Sequence, residues 1–416
     1  MTTTEEAKKT DALWRNGDYV RLVTGETISK LGSSMAAFVL PLMTLALTGS
    51  AAKAGVVGGA STLATVLFSL LAGALVDRWH RKLVMITSSA VRALLWSSIV
   101  IAQTLHRLSL AQLVVVGFLS STMASFFGPA EGAAIRKVVR TEQLPAALSV
   151  NQGRQAAANL AGGPLGGVLF GINQMFPFTA NALSFFASVV GVASVRHPLG
   201  KPERKVRESV IVSIRTGLRF VWSQPAIRDI CATAAIINFA LTGFDFTIIL
   251  HLKRNGVPAA LIGFIGTASG AGIVLGAMIA PRVPKRIPTG TICVALGWVL
   301  LVAYSVMDVF RNSLPVQVTL VFFGLLMVPI LNAGLQAYSF AITPDELQGR
   351  VRSAISFMAG ILTPFTAFLG GLGLEYLGAF TTLSILVVIL ATSPVLLTMN
   401  KHVRSIPLLS EVEPAE

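Results

Sequence analysis

The sequence predicts an all-α membrane protein of twelve transmembrane helices arranged as two pseudo-symmetric six-helix halves. Composition comes first: 53% of the 416 residues are apolar, only 12% are charged, and the mean hydropathy is +0.72. Soluble domains carry about 25% charged residues, which cover their large surface. So much apolar surface excludes disorder, and two cysteines, Cys231 and Cys293, exclude a disulfide scaffold. Next, apolar segments of the ~20 residues that a bilayer requires recur along the chain. Finally, one long basic stretch divides those segments six and six.

Residues 1–20 are polar and mixed in charge, without the basic start, short apolar core and cleavage site of a signal peptide. They read as a cytoplasmic tail. Spans follow near 21–47, 54–75, 83–104, 109–133, 146–170 and 176–195, which make a first bundle over 21–195. A linker over 196–226 begins rich in Pro and charge. It ends, from Ile211 to Trp222, with apolar residues and Arg at helical spacing, the pattern of an interfacial amphipathic helix. Further spans near 227–250, 258–280, 289–308, 315–340, 352–374 and 379–399 make a second bundle over 227–399, followed by a tail over 400–416.

Charge orients this chain. Of the 33 Lys and Arg, three are embedded in spans (Lys30, Arg92 and Arg154) and five fall in outer loops (Lys53, Arg107, Lys253, Arg254 and Arg311). The rest lie on inner segments, as the positive-inside rule requires when both termini are cytoplasmic. The net charge of +14 is then a rim facing anionic lipid headgroups, and it gives no reason to invoke nucleic acid.

An internal repeat supports the two halves. At an offset of 208, Gly55 meets Gly263 and Gly58 meets Gly266, and Gly73-Ala-Leu-Val-Asp77-Arg78 falls on Pro281-Arg-Val-Pro-Lys285-Arg286. At an offset of 203, Val139-Arg-Thr-Glu142 meets Ile342-Thr-Pro-Asp345, and Gly167 meets Gly370. Such duplication builds one large class of secondary transporters, with the substrate site between the halves.

Gly73-Ala-Leu-Val-Asp77-Arg78-Trp-His-Arg81-Lys82 after span two resembles the G-x-L-A-D-R-x-G-R-K signature of the major facilitator superfamily. Phe127-Gly-Pro129-Ala130, Glu142-Gln-Leu-Pro-Ala-Ala147, Gly162-Gly163-Pro164-Leu-Gly166-Gly167, Asn181-Ala-Leu-Ser-Phe185 and Gly349-Arg350-Val-Arg352-Ser353 follow in order. That set is similar to the branch holding the enterobactin exporter and the macrolide-efflux proteins. The resemblance implies export of an amphiphilic drug, macrolide-like compound or siderophore by alternating access across a bacterial cytoplasmic membrane. Protons would drive it, with no cofactor and with the protein as a monomer. There are departures. His80 replaces the usual Gly of the loop, Lys285 stands where the first copy has Asp77, span four lacks the Arg of the drug–proton antiporters, and span five reads G-P-x-G-G. Uptake or exchange of a metabolite by the same fold is the alternative, and a membrane-embedded lipid enzyme a distant one.

The resemblance implies a conformational gate of Gly73, Asp77, Arg78, Arg81 and Lys82 working against Arg350 and Arg352; a loop that only anchors topology is the simpler reading. Ionisable side chains inside spans are costly and mark function by default. Glu26 and Lys30, four residues apart, share a helix face and can neutralise each other or couple protons. Arg92 can bind an acidic substrate group or pair with a carboxylate such as Glu26. Asp245 in span seven either alternates between protonated and charged or sits half-exposed at the outer end. Asn159, Asn181, Asn238, Asn332 and Gln336 line the substrate path or bond across helices, and aromatics such as Phe244 wall the path or pack the core. Gly163, Pro164, Gly166 and Gly167 permit close packing and bend span five; by the resemblance they seal one face of the cavity. The five histidines are dispersed and there is no phosphate-binding Gly-x-x-x-x-Gly-Lys-Ser/Thr loop, so catalysis and ATP drive are not expected.

Overall fold

The structure, a computed structural model, describes residues 13–76, 79–199, 210–280, 282–283, 286–344, 347–406 and 408. Asp77, Arg78, Lys285 and Asp345 lie outside the described residues. Among those described there is no strand. Helices α1 (Gly17–Thr48), α2 (Ala51–Val76), α3 (Arg81–Thr104), α4 (Leu110–Val138), α5 (Leu144–Ile172) and α6 (Phe176–Ala193) are spans one to six. The linker ends in α7 (Val210–Ser223). Spans seven to ten are α8 (Pro225–Arg254), α9 (Ala259–Ile279), α10 (Thr289–Val309) and α11 (Leu314–Ile342). Span eleven is broken into α12 (Gln348–Gly360) and α13 (Thr363–Tyr376); α14 (Gly378–Met399) and the short α15 (Lys401–Arg404) complete the chain.

Eleven of these segments, with α12 and α13 counted as one, are long and apolar enough to cross a membrane. The remaining expected span, α5, is 29 residues long, but Asn151, Gln152, Arg154, Gln155 and Asn159 make its first half polar. Local chemistry sets the ends. The Asn16 side chain accepts from the Asp18 and Tyr19 amides and so starts α1 four residues before the sequence reading placed it. Gly49, at φ 67°, closes α1 in the left-handed conformation that glycine adopts without strain. Prolines Pro41, Pro129, Pro164, Pro329 and Pro394 lie inside helices. The carbonyls they free must be satisfied by neighbouring groups.

The described residues form two compact units. The first comprises the chain up to Gly49, Ala60–Val206 and Pro258–Gly266; the second comprises Ser50–Gly59, Arg207–Val257 and the chain from Thr267. In the first, α1 packs on α5 and α6, and α3 on α4 and α6. In the second, α8 packs on α13 and α14, and α10 on α11 and α14. Two short pieces fall in the unit other than that of the rest of their helix. The start of α2 belongs with the second unit and the start of α9 with the first.

Glycine explains both exchanges. A Cβ on Gly263 of α9 would stand 2.5 Å from the Gly163 carbonyl oxygen of α5, and one on Gly163 2.8 Å from that of Gly263. A Cβ on Gly167 would strike the Ala259 carbonyl. In the second unit, a Cβ on Gly55 of α2 would stand 2.5 Å from the Ala367 oxygen of α13, and one on Gly371 2.8 Å from the Gly55 Cα. Only small residues allow backbones this close. Gly55 and Gly263 are one of the pairs matched by the sequence repeat.

Candidate functional site

A buried charge cluster fills the first unit where α1, α4 and α5 meet. Glu131 of α4 stands 3.3 Å from the Lys30 ammonium of α1 and 2.9 Å from the Arg154 guanidinium of α5. Lys30 and Arg154 also both donate to the Asn151 side-chain oxygen. Arg154 donates further to the Val23 carbonyl at 2.8 Å, which fixes it across the α1–α5 interface. One carboxylate therefore holds two cations, and hydrogen bonds occupy much of their remaining capacity, as buried charges require.

This corrects the expected pairing of Glu26 with Lys30. Although they share a helix face, no ion pair joins them, because Glu131 gives Lys30 a nearer partner. Glu26 is 2% exposed. It accepts from the Ser188 hydroxyl of α6 at 2.7 Å and the Ser29 hydroxyl at 3.4 Å. Ser188 Oγ lies 2.9 Å from Ser89 Oγ of α3, so hydroxyls supply the side-chain hydrogen bonds to this carboxyl group, while Glu131, Lys30 and Arg92 act on it electrostatically. Arg92 acts on Glu26 electrostatically but makes its hydrogen bonds elsewhere. Arg92 donates to Ser33 at 3.1 Å and Ser120 at 3.3 Å, and its guanidinium lies 4.0 Å from the centre of the Phe185 ring, a cation–π contact.

Of the expected gate, Gly73 lies in α2 and Arg81 opens α3. Lys82 donates to the Ala193 and Val195 carbonyls at 2.9 and 2.8 Å. Its charge thus neutralises the negative end of α6, in its own half of the chain. Arg350 and Arg352 lie in the first turns of α12. A Cβ on Gly217 of the linker helix α7 would stand 2.5 Å from the Arg350 carbonyl oxygen. Val221 of α7 packs with Val351 and Ala354 in one apolar cluster, so α7 is docked on the helix that carries these arginines.

The four expected sealing residues divide between two faces of α5. Gly163 and Gly167 meet α9. Gly166, with Gly162, meets Ser34 and Met35 of α1. Pro164 meets α9 through its Cα, 2.8 Å from a Cβ placed on Gly263. Residues four apart share a helix face, which is why the run serves both contacts.

The second unit encloses a cavity of about 540 Å³ that extends from Ile227, near the start of α8, to Asp245. Aliphatic side chains such as Leu241, Leu296 and Leu300 dominate its wall. Asn238, Asn332, Gln336 and Asp245 supply polar groups, and Arg352 also lines it. Asn238 donates to the Ala359 carbonyl at 3.0 Å, and Asp245 accepts from the Tyr304 hydroxyl at 3.2 Å. A drug-sized, mostly apolar pocket with a few convergent polar groups is the usual form of a ligand site.

Three expected path residues are not in this wall. Asn181 is fully buried against α1, where a Cβ on Gly32 would stand 2.8 Å from its Oδ1. Phe244 is 1% exposed and packs edge-on against Tyr304, with ring centres 4.9 Å apart. Asn159 is exposed in the first unit and accepts from Ser34 and Gln155, each at 3.2 Å. Residue type alone gave no face for these positions. Sequence reasoning missed Glu131, although it directly follows the quoted Phe127–Ala130 motif. It missed Glu375, which accepts from Arg254 and from the Ala51 amide, and Asp308, buried and bonded by Ser384 at 2.7 Å. Among the described residues, no three His, Cys, Asp or Glu side chains group to hold a metal.

Comparison with known proteins bears on all of this. The family profile described as Major Facilitator Superfamily matches residues 22–367. The multidrug efflux pump Tap of Mycolicibacterium fortuitum is 28% identical over 86% of this chain and 89% of its own length. The uncharacterized MFS-type transporter YfiS of Bacillus subtilis is 27% identical over 86% and 87%. A bacterial homolog of the human lysosomal transporter Spinster superimposes with a TM-score of 0.71 at 14% identity, over 91% of this chain and 95% of that one. The POT family transporter PepTSo does so with 0.71 at 10% identity, over 94% and 98%. At these identities the solved structures speak to the fold alone. The chain is a multi-pass membrane protein whose relatives are bacterial transporters.

Proposed function

We infer, since this chain belongs to the major facilitator superfamily, that it is a secondary transporter exporting an amphiphilic small molecule in exchange for protons. The carrying observation is the cavity of the second unit, apolar along most of its wall with one carboxylate, one guanidinium and four amides. Such a wall suits a substrate with a large greasy body and few polar groups. The similarity to the multidrug efflux pump Tap supports export as the direction. The distribution of Lys and Arg supports cytoplasmic termini, so the part of the cavity lined by Ile227, near the start of α8, lies towards the cytoplasm.

Protons enter the account through Glu26. Its carboxyl is buried and takes its side-chain hydrogen bonds from hydroxyls, while Lys30 and Arg92 make their hydrogen bonds elsewhere and Glu131 holds Lys30 and Arg154. Protonation of Glu26 changes the charge of the packed core of α1, α3 and α6. The gate of Asp77, Arg78, Arg81 and Lys82 against Arg350 and Arg352 completes the cycle by family resemblance, and Asp77→Asn is expected to slow transport without preventing insertion.

The test is dye efflux in bacterial cells deprived of their own pumps. Cells producing this chain should retain less of an amphiphilic dye, and a protonophore should erase the difference. Equal retention with normal protein in the membrane, or greater retention, contradicts the reading.

A further inference from the structure

We propose that the outward face of the linker helix α7 is a recognition surface for anionic phospholipid headgroups. Its place in the fold brings it to them. Only Gln224 separates the end of α7 at Ser223 from the start of α8 at Pro225. Gly217 of α7 abuts the Arg350 carbonyl in the first turn of α12. Two membrane-crossing segments, those that begin at Pro225 and Gln348, therefore start beside this helix. Headgroups surround a protein at the level where its spans begin. By the distribution of Lys and Arg that surface is the cytoplasmic leaflet, which is the anionic one.

An interfacial amphipathic helix normally turns its apolar face to lipid. Here protein takes that face. Gly217 and Val221 are buried on α12, and Leu218 and Phe220 pack partly buried beside them. The opposite side is left to the surroundings. Val212, Arg215, Arg219 and Trp222 follow one another at steps of three, four and three, so they form one stripe along the helix. All four are exposed, Trp222 to 61% and Val212 to 48%. The helix contains no Asp or Glu. Among the described residues, neither arginine has a hydrogen bond or an ion pair.

This stripe selects its surroundings. Water suits the two guanidinium groups but not the apolar area of Trp222 and Val212. A neutral headgroup layer suits the indole, which favours the membrane interface, yet offers the arginines no net charge. An anionic layer suits both. Trp222 and Val212 reach the acyl boundary, and each guanidinium can donate two parallel hydrogen bonds to a lipid phosphate. One basic residue near an anionic surface is worth about a fivefold preference.

Tryptophan quenching in lipid nanodiscs tests this with the purified full-length protein. Phosphatidylcholine bilayers receive increasing fractions of acyl-brominated phosphatidylglycerol or of acyl-brominated phosphatidylcholine. The chain has five Trp, so the Trp222 signal is the difference between the unaltered protein and Trp222→Phe. Half-maximal quenching should need roughly tenfold less of the anionic lipid than of the zwitterionic one, the scale of two basic residues. Arg215→Gln with Arg219→Gln should abolish that preference, whereas Arg215→Lys with Arg219→Lys should keep most of it. Equal quenching by the two lipids, quenching by neither, or a preference that survives the double Gln exchange overturns the proposal. All the altered side chains are exposed, so the variants should fold as the unaltered protein does. Both leaflets of the disc have one composition and nothing is transported. The result therefore depends neither on the direction of insertion nor on the export reading.

Discussion

Without the carboxylate of Glu131, Lys30 and Arg154 would share only the neutral oxygen of Asn151. Breaking a buried pair from one side costs about 3–5 kcal/mol, because a charge is left without its partner. Glu131→Gln should therefore lower the thermal unfolding temperature in detergent by several degrees, and adding Lys30→Met should recover part of the loss. Full stability in the single variant would show that the cluster is not structural. Glu26 differs in kind. Its partners are hydroxyls, so Glu26→Gln should fold with little loss of stability and lose proton dependence instead. These two acids also measure what residue-by-residue reading can do. The sequence marks a charge in lipid as costly, and Glu26, Lys30, Arg92 and Asp245 stand out for that reason. It does not say which charges meet. That depends on how α1, α4 and α5 are rotated against one another, and so Lys30 has its partner on another helix rather than one turn away.

At the scale of elements, the glycine contacts carry the sharper expectation. Gly263→Ala places a methyl against backbone at 2.5 Å, where no side chain can give way, whereas Gly171→Ala in α5 meets nothing within 4 Å. The first should destabilise by about 1–3 kcal/mol, the range for overpacking, and the second should be neutral or slightly stabilising, since alanine favours helix. Thermal unfolding of the pair compares them directly; equal behaviour would refute the close approach of α5 and α9. Much of this level is legible beforehand. Span positions follow from hydropathy, and the match of Gly55 to Gly263 already pairs the two contacts. The detail of the second partner is not legible, because the repeat matches Gly167 to Gly370, whereas the structural counterparts Gly163 and Ala367 lie one residue out of that register. The break between α12 and α13 is likewise unmarked, since Gly360 and Pro364 resemble the glycines and prolines that unbroken spans tolerate. The linker helix was legible from its spacing of Arg and apolar residues, but its docking on α12 through Gly217 was not. Gly217→Leu should detach it and slow transport while leaving insertion intact, as a transport assay on membranes with matched protein content would show.

For the whole molecule, the distribution of basic residues predicts the topology, and labelling checks it. Cys231 and Cys293 are both buried. A single cysteine placed at Arg107 should therefore react with an impermeant thiol reagent from outside intact cells, and one at Lys137 only after permeabilisation. The reverse result would invert the chain and the direction of export with it. The most direct measurement of proton-driven export uses everted membrane vesicles acidified by respiration. Adding the amphiphilic substrate should release luminal protons as the compound accumulates inside, and vesicles bearing Glu26→Gln should show no such release. Accumulation that proceeds unchanged without a proton gradient, or that appears only in right-side-out vesicles, would contradict the account.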